Sequence, residues 1–310
     1  MKLIVTSDLH IEKDNDRSCH QLPSILSRYI QSNPSEDYVF AIVGDVSPNN
    51  KKLEHYFRLF ASVSIPKLFV PGNHDIWSQK RNDDPSTKNV DSLELYQTVL
   101  PSICENTGFH YLDKKPFVVN RIGFIGNIGW YDYSFHSSSE PMVSNKLTFI
   151  RRDTNQEFSW SEISYSDLTS KELWTMDVHQ VPTRISVWND LYYIKWPLHM
   201  DDIHFCNTCY ETINQHFLDT FDHIDHLVFM SHHALFEKCI VRYPSYQDEF
   251  NNAFRGCKFL GDYIISHPKL RKVIFGHTHE AGIYPLGGDI EAINPYYTPE
   301  IPFRVISLPY

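Results

Sequence analysis

No stretch of this chain approaches the roughly 18 consecutive apolar residues of a membrane span, and no basic segment followed by an apolar core of signal-peptide type opens it. The expectation is a soluble, cytoplasmic protein. Positive charge is also scarce. Over 310 residues, 28 Lys and Arg stand against 38 Asp and Glu, a formal net charge of −10. That balance gives no strong nucleic-acid signal and weighs against an anionic membrane, since both need a basic stripe. Cysteine is present without organisation: Cys19, Cys104, Cys206, Cys209, Cys239 and Cys257 are dispersed through a long chain. A small disulfide framework is therefore excluded. The lone CxxC, Cys206 to Cys209, has no second pair and opens a helical pattern with Tyr210, Ile213, Phe217 and Phe221, so ordinary core thiols are expected. Neither a repeat nor a linker interrupts the chain, which reads as one domain over residues 1–310.

What the chain does have is metal-ligand residues, each just after a short apolar run. The blocks are Ser7-Asp8-Leu9-His10, Gly44-Asp45, Gly72-Asn73-His74-Asp75, Ser231-His232-His233 and Gly276-His277-Thr278-His279. The runs before them, such as Leu3-Ile4-Val5, Tyr38 to Val43 and Val273-Ile274-Phe275, are near-continuously apolar, as strands buried on both faces are. Open α/β sheets place ligands at the carboxyl ends of their strands. Residues two apart in a strand share a side, so Asp8 with His10, and His277 with His279, are each expected to present two donors to one cleft.

Helices are expected near 53–63, 92–104 and 259–266, the last stopped by Pro268, and a further strand at Ile122-Gly123-Phe124-Ile125-Gly126. The segment 131–202 is polar and aromatic with weak periodicity, the mark of a functional insertion or a partly disordered stretch, and specificity is expected to reside there. Trp130, Tyr131, Tyr133, Trp188, Tyr193 and Trp196 could form an aromatic wall for substrate or simply anchor the insertion to the body. Arg151-Arg152 could meet a distal phosphate or lie on a solvated loop.

The ordered pattern D-x-H, G-D, G-N-H-[DE], a ligand His and G-H-x-H resembles the calcineurin-like metallophosphoesterase superfamily over positions 8 to 279. The resemblance implies an α/β fold, a two-sheet β-sandwich flanked by helices in four αββα layers. It implies one metal held by Asp8, His10, Asp45 and His279, and a second held by Asp45, Asn73, His232 and His277, with Asp45 bridging. His232 and His233 point to opposite sides of the chain, and the family pattern favours His232. His74 would be the catalytic group that protonates the leaving oxygen or steadies the phosphoryl charge. Asp75 would orient its ring, or be a turn residue bonding nearby backbone. In the stretch 242–252, Arg242 and Tyr243 look like substrate contacts of bacterial members.

Two aspartates, one asparagine and four histidines without a thiolate make a mixed oxygen and nitrogen site for two divalent ions, manganese, iron, zinc or cobalt, rather than magnesium or calcium. Such a pair keeps a net positive charge and attracts a phosphate locally. The implied activity is hydrolysis of a phosphomonoester or phosphodiester, a nucleotide among the candidates, by attack of metal-bound hydroxide. Gly44-Asp45-Val46-Ser47-Pro48-Asn49-Asn50 lacks the Arg of G-D-x-x-D-R-G, which argues against a protein Ser/Thr phosphatase. A nuclease of the same fold, or a non-catalytic scaffold, are the alternatives.

Overall fold

The computed structural model describes residues 1–12, 17–78, 90–135, 188–243, 248 and 251–308, with the backbone of three short strands at 147–150, 157–160 and 183–186. Its first seven strands are β1 (Lys2–Thr6), β2 (Tyr38–Val43), β3 (Lys67–Val70), β4 (His110–Tyr111), β5 (Phe117–Val119), β6 (Ile122–Asn127) and β7 (Leu147–Ile150). These are followed by β8 (Glu157–Trp160), β9 (Thr183–Ser186), β10 (His226–Ser231), β11 (Leu270–Phe275), β12 (Gly282–Gly287), β13 (Ile290–Asn294) and β14 (Arg304–Ser307).

Two mixed sheets form the body, ordered β14-β1-β2-β3-β4 and β12-β13-β11-β10-β6-β5. Their central strands run parallel, and antiparallel strands close the edges at β14, β12 and β5. Alternation explains why the strands read as unbroken apolar runs. Leu3, Val5, Val39, Val43, Leu68 and Val70 meet Phe124, Val228, Met230 and Ile274 in one buried layer between the sheets. The intervening residues Ile4, Phe40, Ile42, Phe69, Phe229 and Val273 face a second cluster shared with the helices. Both faces of each central strand are thus covered. Truncating one such side chain to Ala typically costs about 2 to 5 kcal/mol, so the strand ends that carry the ligand blocks are firmly held.

The helices covering the outer faces are α1 (Leu22–Ser32), α2 (Asn50–Arg58), α3 (Leu100–Thr107), α4 (Asp202–Thr220) and α5 (Lys258–Ile265). Helix α2 starts earlier than the apolar pattern indicates because Asn49 caps it, accepting from Lys52 N at 3.0 Å. The expected 92–104 helix is longer and irregular: a turn at Ser92–Glu94 and a π-helical turn at Leu95–Val99 lead into α3, which Gly108 ends in left-handed geometry. Helix α4 opens at the Asp201 cap rather than at Cys206, and the six cysteines are buried thiols, none in a disulfide.

Within 131–202, β7 pairs with β8 and β9 in a separate three-stranded sheet, whose four-residue strands are too short to show a sequence period. Arg151-Arg152 lie outside the described residues. No helix among the described residues is long and apolar enough to cross a membrane.

Candidate metal centre

The donors sit past the strand ends, not in them. Strand β1 ends at Thr6 and β11 at Phe275, and Asp8, His10, Asp45, His277 and His279 all have left-handed backbones, with φ of 57°, 41°, 56°, 65° and 57°. The strand-alternation argument for Asp8 with His10 and His277 with His279 is therefore corrected: tight left-handed turns aim these side chains. Asp and His tolerate that region better than most residues, yet each such conformation costs on the order of 1 to 3 kcal/mol and persists only where its surroundings dictate it. The loops lock one another, with Asp8 N donating to Gly44 O at 3.0 Å and His10 N to Asp45 O at 2.9 Å. Gly44 has φ +78°, and a Cβ there would stand 2.2 Å from His232 Nδ1, so no side chain fits.

Two groups of donors share Asp45. On one side Asp45 Oδ2 lies 3.7 Å from His10 Nε2, which is 3.1 Å from His279 Nε2, itself 3.5 Å from Asp8 Oδ1. On the other, Asp45 Oδ1 lies 3.3 Å from His232 Nε2, and Asn73 Oδ1 lies 3.2 Å from that nitrogen and 3.1 Å from His277 Nδ1. Both sets, Asp8, His10, Asp45 and His279, and Asp45, His232 and His277, have the spacing to hold an ion.

The hydrogen bonds behind the second set fix where its lone pairs point. His277 Nε2 donates to Phe254 O at 3.1 Å, so Nδ1 of the neutral ring is an acceptor. Asn73 Nδ2 donates to Asp190 Oδ1 at 2.7 Å, which turns its carbonyl oxygen inward. Two acceptors thus face each other at 3.1 Å with no hydrogen of their own between them, an arrangement a cation relieves. Burial, reinforced by the neighbouring His233 and His232 rings, holds His277 well below its ordinary pKa and keeps it neutral. Burial alone would also lower His232, but Asp45 outweighs it and raises the ring to about 9, so without an ion a proton is drawn to the same place. Burial would raise Asp45; the His232 and His74 rings hold it well below the usual carboxylate range. The donor chemistry fits a pair of divalent ions.

His232, whose Nδ1 faces Val43 O at 3.1 Å, turns to Asp45, whereas His233 turns away to Ile128 O at 3.1 Å. His74 stays beside the centre: its ring Nε2 lies 3.7 Å from Asp45 Oδ2, and the ring stacks on Trp77 with centroids 3.7 Å apart. Asp75 does not reach the His74 ring, which corrects the orienting expectation. Its two oxygens instead accept four backbone N–H groups, from Gly72 at 2.8 Å, Asp45 and Val46 at 2.9 Å and Ser47 at 2.8 Å. A buried carboxylate with four such donors braces the two loops that carry Asp45 and Asn73. Besides Asp45, the acid beside the ring is Glu12, with Oε1 4.0 Å from His74 Nδ1 and 3.7 Å from His10 Nδ1.

A cleft of about 390 Å³ opens over the donors, lined by Asn73, His74, Trp77, Trp188, Arg255, His277 and His279 among others. Of the expected substrate contacts, Trp188 lines it. Trp130 does not: it is fully buried, stacked on Tyr131, and its Nε1 donates to Asp202 at 2.7 Å, so it anchors the start of the insertion. Arg242 bonds Glu237 and, at 2.8 Å, Phe135 O, while the exposed Tyr243 reaches Glu280 at 2.9 Å; neither lines the cleft. Glu12 and Arg255 carry no signal in the sequence. Asp190 stands in the Trp188-Asn189-Asp190 block of the candidate aromatic wall, but its hold on Asn73 was not legible there.

A family model described as calcineurin-like phosphoesterase matches residues 1–281. Comparison with curated proteins gives no match. Among solved structures, phosphopantetheinyl hydrolase from Mycobacterium tuberculosis is similar at 15% identity and a TM-score of 0.63, with 98% of this chain and 95% of that chain covered. A dimetal phosphatase from Danio rerio is similar at 11% identity and a TM-score of 0.51, covering 98% and 91%. At these identities the likeness is one of fold.

Proposed function

The chain belongs to the calcineurin-like phosphoesterase family of metal-dependent hydrolases, and from that membership and the donor geometry we propose a dinuclear phosphohydrolase acting on a small phosphate ester, monoester or diester. The observation that carries the reading is Asp45, whose two oxygens face two separate sets of nitrogen and oxygen donors. Two divalent ions held there, manganese, iron or zinc by the donor types, would activate water and draw charge from the phosphoryl oxygens.

The protein's own residues do the rest. Asp8, His10 and His279 complete one set, and Asn73, His232 and His277 the other, each braced by backbone: His277 N donates to Asp8 Oδ1 at 2.9 Å and His74 N to Asp45 Oδ1 at 3.0 Å. His74 coordinates nothing in this scheme. Held between Trp77 and Glu12 at the cleft wall, it gives a proton to the leaving oxygen or bonds the phosphoryl group. Asp75 acts on the loops rather than on the substrate. Trp188, half-buried beside His277, supplies a flat wall for the leaving group. Phe135 and Trp130 fasten the start of the 131–202 insertion, which reaches the cleft at its other end through Trp188, and all of 1–310 works as one domain with that insertion shaping the substrate site.

Hydrolysis of a panel of phosphomonoesters, phosphodiesters and nucleotides, measured with manganese, zinc or iron and with chelator, tests the reading. Metal-dependent release of phosphate or alcohol from at least one class is expected. Equal rates with and without chelator would contradict it.

A further inference from the structure

Among the described residues lining the cleft, Arg255 is the only Lys or Arg. Its surroundings leave part of the guanidinium unused. Nη1 donates to Thr278 O at 3.3 Å, Nη2 lies 4.0 Å from Asp248 Oδ1, and Nε is buried with no partner among the described residues. A guanidinium offers five N–H donors and stays charged, so this is a costly arrangement unless an acceptor enters from the cleft. Arg242, by contrast, spends its donors on Glu237 and Phe135 O.

The position is rigid. Ala234, two residues beyond His232, donates its N–H to Arg255 O at 3.0 Å, and Cys257 N returns to Ala234 O at 3.3 Å. Gly256 permits this approach, because a Cβ there would fall 1.7 Å from Ala234 O. On the other side Phe254 stacks on Trp188, 5.6 Å between centroids at 14°, and its carbonyl holds His277. Arg255 therefore stands next to the metal donors on the same framework, yet it bonds none of the seven.

We propose that Arg255 is a second oxyanion subsite, so that the cleft selects phosphate esters carrying another anionic group, phosphate or carboxylate, beyond the scissile phosphorus. This rests on the phosphohydrolase reading above. The scissile group belongs between the shared Asp45 and His74, and Arg255 serves the part of the substrate that leaves the donors behind. The planar fork matches either oxyanion in a bidentate way.

Calorimetry on the manganese-loaded protein with three non-hydrolysable probes, phenylphosphonate, 4-phosphonobenzoate and 1,4-benzenediphosphonate, tests this. Their shared ring keeps any stacking on Trp188 constant. At least one doubly charged probe is expected to bind about ten- to a hundredfold tighter than phenylphosphonate, the scale of one charge-assisted contact. R255Q should abolish that advantage while weakening phenylphosphonate less than about threefold, and R255K should restore part of it. The preferred probe identifies carboxylate or phosphate as the partner. No advantage in the wild type, or an advantage that survives R255Q, overturns the subsite, and equal weakening of all three probes by R255Q places Arg255 on the scissile group and overturns it too. Wild-type protein that holds manganese but binds no phosphonate overturns the phosphohydrolase reading itself.

Discussion

Asp190 takes the Asn73 amide N–H at 2.7 Å, joining residues 117 apart in sequence. The same carboxylate accepts Trp77 Nε1 at 2.7 Å and Trp188 Nε1 at 2.9 Å. One buried acid thereby sets which atom of Asn73 faces His232 and His277, fixes the indole on which His74 stacks, and holds the wall of the cleft. In D190N a single carbonyl oxygen must serve Asn73, Trp77 and Trp188, with the Tyr131 hydroxyl also bonded to this side chain. Affinity for the ion of the Asn73, His232 and His277 set is expected to fall about 10- to 100-fold, while the Asp8 set keeps its own. Metal titration by calorimetry reads this directly; two unchanged binding steps would exclude the role.

His74 and His279 should separate chemistry from metal binding. His74→Ala is expected to retain both ions and lose on the order of 10² to 10⁴ in turnover, the usual contribution of a positioned acid. His279→Ala is expected to lose metal occupancy. Metal content by mass spectrometry, taken with steady-state kinetics, distinguishes them, and full activity in the His74 variant would remove that residue from the mechanism.

Gly44→Ala drives a Cβ into a 2.2 Å approach to His232 Nδ1 at a backbone φ of +78°. The turn and the histidine cannot both stay. Lowered melting temperature together with weaker metal binding is expected, with about 1 to 3 kcal/mol from the backbone alone. Wild-type behaviour on both counts would show that the strand-end loops are more pliable than described.

A stability test stands apart from the metals. Burial raises the Asp113 carboxyl to about 7 although Tyr96 and Ile128 N hydrogen-bond to it. Its folded pKa thus exceeds the unfolded value near 3.9, so its stabilising contribution is complete below about pH 4 and is lost as pH rises toward 7. D113N cannot ionise. Its stability relative to wild type should climb across pH 4 to 7 by at most about 4 kcal/mol and then level off, as read from denaturant melts at several pH values. A pH-independent difference would contradict the raised pKa.

The five ligand blocks and their feeding strands were legible because both are local: an apolar run of three to six residues, then donor types at fixed spacing. The two-sheet body followed from the family pattern, and the double burial of the strands agrees with it. Side-chain roles that depend on the third dimension were less accessible. Asp75 sits beside His74 in sequence but bonds backbone of the other loop, and Glu12 takes the place near the ring. Trp130 follows a core strand and Arg242 lies near a ligand block along the chain, yet they turn into the body and toward Glu237. Asp190 and Arg255 arrive at the cleft from segments without a period or motif, where only packing decides the neighbours. Left-handed turns at Asp8, His10, His277 and His279 leave no trace in hydrophobic patterning, which is why strand alternation was the wrong local geometry for them.

Anomalous diffraction at the manganese edge from crystals grown with that metal measures the centre itself. Two peaks about 3.5 to 4 Å apart are expected, one on each side of Asp45, the first against Asp8, His10 and His279 and the second against Asn73, His232 and His277. A single peak, or two that do not share Asp45, would contradict the dinuclear account.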